Sequence, residues 1–319
     1  MEELKNAIDS KRNIKANSLN AYLISIKKIH NAIFGDKEMK NIDFLKDEDK
    51  VLESFKNLKL NTQKNYLSSI IVSLDAMNKD GEYDKDIKVY RDNLEAVNKV
   101  FYEELSKNEK SESQEENWVS LKDLKKVLNG YKSDLVDRGV FKKDELTKKQ
   151  MDILQRWVVG NLYIGDDANP PPRLDFDMDI IKNSDYEKLS DEDLNSNNYL
   201  VIKSRTNKFF HFSQYKTNKT QGIKKIPVGK TLNSVLNIWL KYNPNSYLLM
   251  DSHGKRMSSN QLSKYINKVF APTGKKITAN LLRHIYISTK FPVEETSNKK
   301  AVASKMGHSV DTQGTYAKK

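Results

Sequence analysis

Five places in the second half of this 319-residue chain hold residue types suited to work on a phosphate. The run Pro170-Pro171-Pro172-Arg173-Leu174-Asp175 fixes Arg173 at a rigid turn, from which its guanidinium could fork onto phosphate oxygens. The stretch Tyr215 to Gly222 puts Lys216 and Lys219 on a loop between two predicted strands. Asn280 and Leu281-Leu282-Arg283-His284 open a predicted helix, where free backbone N–H groups already favour an anion. Met306-Gly307-His308-Ser309 follows, and Tyr316 stands eight residues past that histidine. Taken singly, each has a duller reading. Arg173 could pair with a surface acid, the lysines could be solvated at a sheet edge, Arg283 and His284 could cap a helix, His308 could sit in a core, and Tyr316 could pack the C-terminus.

The elements that must position these residues are mostly helical. Ser18 is placed to cap a helix whose apolar residues Leu19, Tyr22, Leu23, Ile26, Ile29 and Ile33 keep helical spacing until Gly35. Thr62 is placed to cap a second, with Tyr66, Leu67, Ile70, Ile71, Leu74 and Met77, and a third is expected around Tyr90–Leu105. The first two share a Tyr-Leu-x-Ser-Ile pattern, as similar faces packing in one bundle would. Residues 106–117, SKNEKSESQEEN, contain no apolar side chain and read as a linker. Helices then follow from Ser120 and over Met151–Ile164. Short strands are expected at Tyr199–Lys203, Phe209–Tyr215 and Ile223–Val228, closing a small antiparallel sheet. Helices resume at Thr231–Tyr242, Ser259–Val269 and Ala279–Lys290, with a further helical stretch in the tail from Lys299. The expected fold is mainly α with a small antiparallel β-sheet (α+β). Its parts are a helical domain over residues 1–105, a linker over 106–117 and a larger domain over 118–319. A parallel nucleotide-binding sheet is excluded, and no Gly-rich phosphate loop is present.

Charge narrows the partner. Residues 1–110 carry 20 Lys and Arg against 20 Asp and Glu, whereas residues 201–319 carry 22 against 4. A basic block interleaved with apolar residues is a folded cationic surface, and polyphosphate is the natural partner, because Lys and Arg contacts release condensed counterions. A merely solvated Lys-rich face is the alternative. The absence of cysteine rules out disulfides and thiolate metal sites. No apolar run approaches the roughly 20 residues of a membrane span, and the charged start MEELKNAIDSKRN is unlike a secretory signal. An intracellular protein is expected.

Together the five places resemble the tyrosine recombinase (phage integrase) family, whose C-terminal domain runs Arg…Lys…His-x-x-Arg…His/Trp…Tyr. Here the order is Arg173, the loop lysines, Asn280-x-x-Arg283, His308 and Tyr316. The match spans about residues 118–319, and the Ser18–Met77 helices look like the family's core-binding (SAM-like) domain. The Pro-Pro-Arg-Leu-Asp and Leu-Leu-Arg-His-x-Tyr-Ile-Ser forms look closest to recombinases of large DNA viruses and their mobile elements. The resemblance implies that Tyr316 attacks a DNA phosphodiester and holds the 3′ end as a phosphotyrosine. Arg173 and Arg283 would clamp the non-bridging oxygens more tightly in the transition state than in the ground state. His308 would partner phosphate or phenol, and a lysine would protonate the departing 5′-oxygen. Two arginines and a lysine stand where a metal would, so neither metal nor cofactor is implied, and the phosphotyrosine stores the bond energy without ATP.

The family's acid often lies eight residues before a proline, which selects Lys219 against Pro227. Lys216-Thr217 matches the family's Lys-Thr pairing and is the alternative. Asn280 departs from the usual His or Lys; it can donate a hydrogen bond but carries neither charge nor proton. The chain also ends three residues after Tyr316, where many relatives extend into a helix that docks on a neighbouring protomer. The resemblance further implies a clamp around double-stranded DNA and a homotetramer on two DNA sites. It places the protein wherever its target DNA lies: host nucleus, viral factory or prokaryotic cytoplasm. A type IB topoisomerase, a telomere-resolving enzyme and a catalytically inactive DNA-binding relative share enough of the pattern to stand as alternatives.

Overall fold

The computed structural model describes residues 1–12, 14, 16–291, 299–307 and 312. The chain divides into two compact units, Met1–Lys107 and Asn108–Lys319.

The first unit is helical: α1 (Glu2–Lys11), α2 (Ala16–Phe34), α3 (Glu48–Glu53), α4 (Leu60–Met77) and α5 (Asp84–Ser106). Helices α2 and α4, the pair with the shared pattern, pack together and bury Ile26, Ile29, Leu67, Ile70 and Leu74. Neither begins where a side-chain cap was expected. Helix α2 opens at Ala16, two residues before Ser18, and α4 opens at Leu60 on Lys59, which makes no side-chain cap. In α4 amphipathic packing, not capping, sets the start. Gly35 does end α2, at φ +69°, a conformation that favours glycine. Tyr90 is fully buried on α5 and donates its hydroxyl to the Leu45 carbonyl at 2.7 Å.

The second unit begins inside the stretch expected as a linker. Helix α6 (Glu112–Asn117) has no buried residue and is held by hydrogen bonds and by the Lys110–Glu115 ion pair at 3.3 Å. Ser111 caps Gln114 N, and the Gln114 side chain accepts from Ser111 N, a capping box. Asn117 Oδ1 accepts from Lys276 N at 2.8 Å, and Lys275 Nζ donates to the Glu116 carbonyl at 2.7 Å. A segment with no apolar side chain is thus fastened by its polar groups.

Helices α7 (Leu121–Asp137) and α8 (Lys148–Ile164) form the centre of the larger core. Gly160 on α8 is what lets them approach: a Cβ there would lie 2.1 Å from a Leu128 methyl. Then come β1 (Asp179–Lys182), α9 (Asn183–Tyr186), α10 (Asp191–Ser196), β2 (Tyr199–Ile202), β3 (Lys208–Phe212), α11 (Asn218–Gln221) and β4 (Lys224–Pro227). Helices α12 (Lys230–Tyr242), α13 (Ser259–Val269), α14 (Ala279–Lys290) and α15 (Lys299–Met306) complete the described chain.

The sheet runs β1-β2-β3-β4, and it is mixed rather than purely antiparallel. The three expected strands pair antiparallel, but β1 adds parallel to β2, Ile180 beside Leu200. Four residues with two adjacent isoleucines give no alternation to read, so β1 left no strand signal. Strand β3 stops at Phe212, short of Tyr215, because Asn198 Oδ1 captures the next two amides, Ser213 N at 2.9 Å and Gln214 N at 2.7 Å.

Candidate functional site

The arginine turn is built from the loop after α8. That helix ends at Gly165, five residues before the prolines, so the prolines follow the helix rather than break it. Asp166 then accepts from Thr231 N and Leu232 N at 3.0 and 3.2 Å, capping α12. Asn169 bridges the Pro227 carbonyl and Gly229 N at 2.9 and 2.7 Å. On the other side, Asp167 pairs with Lys290 at 2.7 Å, and its carbonyl accepts from the Tyr286 hydroxyl at 3.3 Å. Both partners lie on α14, the helix that carries Arg283. The loop is therefore tied to the end of β4, to α12 and to α14 before it reaches Arg173.

One buried tyrosine holds the arginine turn by its backbone and feels the Arg283 charge. Tyr163 of α8 is fully buried and donates its hydroxyl to the Arg173 carbonyl at 2.8 Å. Burial raises its phenol pKa well above the ordinary value, the nearby Asp175 carboxylate adds to this, and the Arg283 charge opposes it. Tyr163 therefore stays a neutral donor. Arg283 is 1% exposed, one turn into α14, whose N-cap Thr278 accepts from Leu281 N at 3.1 Å. Asn280, on the first turn of the same helix, is exposed.

Asp175 links this centre to the lysine loop. Burial and then the Asp175 charge raise the pKa of Tyr215, whose hydroxyl donates to the Gly222 carbonyl at 2.6 Å and so closes the loop across its base. Asn198 Nδ2 donates to the carbonyls of Asp175 and Gln214, each at 3.0 Å, joining the arginine stretch to the start of the loop. The loop holds the short helix α11 rather than open coil, and Gly222, at φ +65°, turns it into β4.

Lys216 and Lys219 are both exposed on this loop. The lysine drawn inward is Lys224, at the start of β4. Its Nζ lies 5.3 Å from the Tyr215 ring centroid, and burial lowers its pKa. A Cβ at Gly307 would lie 3.7 Å from that Nζ and 3.5 Å from the Tyr215 ring. The Thr217 hydroxyl donates to the Gly307 carbonyl at 2.5 Å. The residue next to His308 is thus seated on the lysine loop. His308 and Tyr316 themselves lie outside the described residues.

Sequence reasoning missed Lys224, Asp175, Asn198 and Tyr163. Only Asp175 carried a signal, two residues after Arg173; the others are recognisable only from what they touch. Among the described residues no group of three or more His, Cys, Asp or Glu could hold a metal ion, and no helix is long and apolar enough to cross a membrane.

By fold this is a mainly helical α+β chain with a four-stranded mixed sheet. No protein-family model matches it, and no curated protein does. Among solved structures it is similar to a XerA recombinase crystal structure, at 11% identity and a TM-score of 0.38, over 99% of this chain and 93% of that one. An overlap that loose carries no argument about function, which rests on the residues.

Proposed function

We propose that this protein is a site-specific tyrosine recombinase that cuts and rejoins double-stranded DNA through a covalent 3′-phosphotyrosine intermediate. The observation that carries the reading is how the arginine turn is tied: Asp167 beside it holds Lys290 and Tyr286 on α14, the helix of Arg283, and Asn198 joins the Asp175 carbonyl to a lysine loop whose Thr217 donates to Gly307, the residue before His308. Permanently charged, forked guanidiniums suit the two non-bridging oxygens of an in-line displacement. Tyr316 is the nucleophile, activated from a free phenol pKa of about 10 by that cationic clamp and by His308. Asn280 donates a hydrogen bond to the scissile phosphate. Lys219 protonates the 5′-oxygen, with Lys216 as the alternative acid. No metal or ATP enters the chemistry.

The partner is duplex DNA, held by the basic surface of residues 201–319, and the working assembly is a homotetramer on two sites, as strand exchange requires. The subgroup proposed is that of large DNA viruses and mobile elements. A pool of nicked suicide duplexes with a randomised core tests this. Incubated in excess chelator and run on a denaturing gel, wild-type protein should trap labelled strands covalently at their 3′-phosphates. An absolute requirement for Mg²⁺, or trapping through 5′-phosphates, would contradict it.

A further inference from the structure

We propose that Thr217 is a positioning residue. Its hydroxyl latches the lysine loop to the end of α15, so that the loop and Gly307, the residue before His308, are set as one body. The proposal deepens the recombinase reading and rests on it.

Gly307 follows the last residue of α15, where helix carbonyls lack intrahelical partners. It sits at φ +77°, in the left-handed region that glycine adopts without strain. Three side chains of the β3–β4 segment converge on it. Thr217 Oγ1 donates to its carbonyl at 2.5 Å, and a Cβ there would touch the Tyr215 ring at 3.5 Å and Lys224 Nζ at 3.7 Å. The loop side of this contact is itself braced. Tyr215 spans to the Gly222 carbonyl, Asn218 Nδ2 donates to the Ser213 carbonyl, and Asn198 holds Gln214 at both backbone groups. A braced loop can transmit its position. When its lysines meet DNA phosphates, the Thr217 hydrogen bond carries that placement to Gly307 and from there, along one peptide bond, to His308. Tyr215 and Lys224 supply the packing, and Thr217 supplies the directional bond, which fixes rotation of the Gly307 peptide as packing does not.

The test is single-turnover attachment to a duplex selected from the randomised suicide pool, in paired versions with the ordinary 5′-oxygen or a bridging 5′-sulfur. Thr217→Val keeps the volume and removes the hydroxyl; Thr217→Ser keeps the hydroxyl. We expect Thr217→Val to slow attachment on the order of tenfold on both substrates, the effect of one lost directional hydrogen bond, with unchanged DNA affinity. Thr217→Ser should stay within about twofold of wild type. Three results overturn the latch while wild type still attaches: Thr217→Val at wild-type rate, Thr217→Ser as slow as Thr217→Val, or sulfur restoring Thr217→Val, which would place the defect in proton delivery. If Thr217→Val does not fold, Gly307→Ala strains the same joint from the other side and should show the same two-substrate slowing; a normal rate there overturns the latch. No attachment by wild type overturns the recombinase reading, and the latch with it.

Discussion

Three lysines on or beside the β3–β4 loop compete for one chemical role, and a change of leaving group separates them. A general acid is needed only when the departing oxygen is basic, whereas sulfur leaves unprotonated. Lys219→Ala should therefore cut ordinary DNA slowly and 5′-sulfur DNA at near wild-type rate. Rescue of Lys216→Ala instead would move the acid there. Lys224 enters this comparison on structural grounds: burial pulls its pKa down, so it gives up a proton more readily than an exposed lysine. Rescue of Lys224→Ala alone would show that the spacing to Pro227 selected the wrong side chain. Arg283→Ala should lose on the order of 10² or more in cleavage rate on both substrates, because in the proposed reaction its charge serves the non-bridging oxygens. Arg283→Lys should recover little, since a point charge does not replace a fork.

At the scale of elements, Gly160 and Asp75 give the clearest expectations. Gly160→Ala would press a methyl into the buried Leu128 side chain, so it should lower stability by about 1–3 kcal/mol in denaturant titrations. In the first unit, burial pushes the Asp75 carboxyl up, but hydrogen bonds from Arg12 and Lys11 outweigh that and hold it below its usual value. A carboxyl with a depressed folded-state pKa stabilises the fold above its unfolded value of about 3.9, and that stability is lost as pH falls through the folded value. Asp75→Asn should be less stable at neutral pH and lose less than wild type on acidification below that value, followed by circular dichroism. The elements legible in the sequence were those whose signal is local. Helices α13 and α14 run over the expected Ser259–Val269 and Ala279–Lys290, each opened by a capping hydroxyl, Ser258 and Thr278. What stayed hidden depends on partners far along the chain: β1, recognisable only beside β2; α6, fastened by Lys275 and Lys276; and Asn198, whose amide joins the arginine stretch to the lysine loop. Arg173 and Arg283 stood out in the sequence by residue type and order, but Tyr163, whose hydroxyl holds the Arg173 carbonyl, reads in sequence as one more apolar position on a buried helix.

At the scale of the whole molecule, charge and division into units make separate predictions. The first 110 residues are neutral, and the last 119 carry more than the whole chain's net positive charge. Affinity for duplex DNA should therefore fall steeply with salt, and residues 108–319 alone should keep weak, salt-sensitive binding. The first unit has its own core and should add affinity and site choice by closing on the duplex, so deleting residues 1–107 should weaken binding. Unchanged affinity and site choice after that deletion would refute the clamp. The central claim, that Tyr316 breaks DNA and holds its end, is tested most directly by covalent capture. Wild-type protein trapped on a labelled suicide duplex in chelator, then digested, should yield the label on the peptide containing Tyr316. Tyr316→Phe should bind the same duplex within a few-fold yet trap none of it. A covalent adduct that persists in Tyr316→Phe, or a label on any other peptide, would contradict the account.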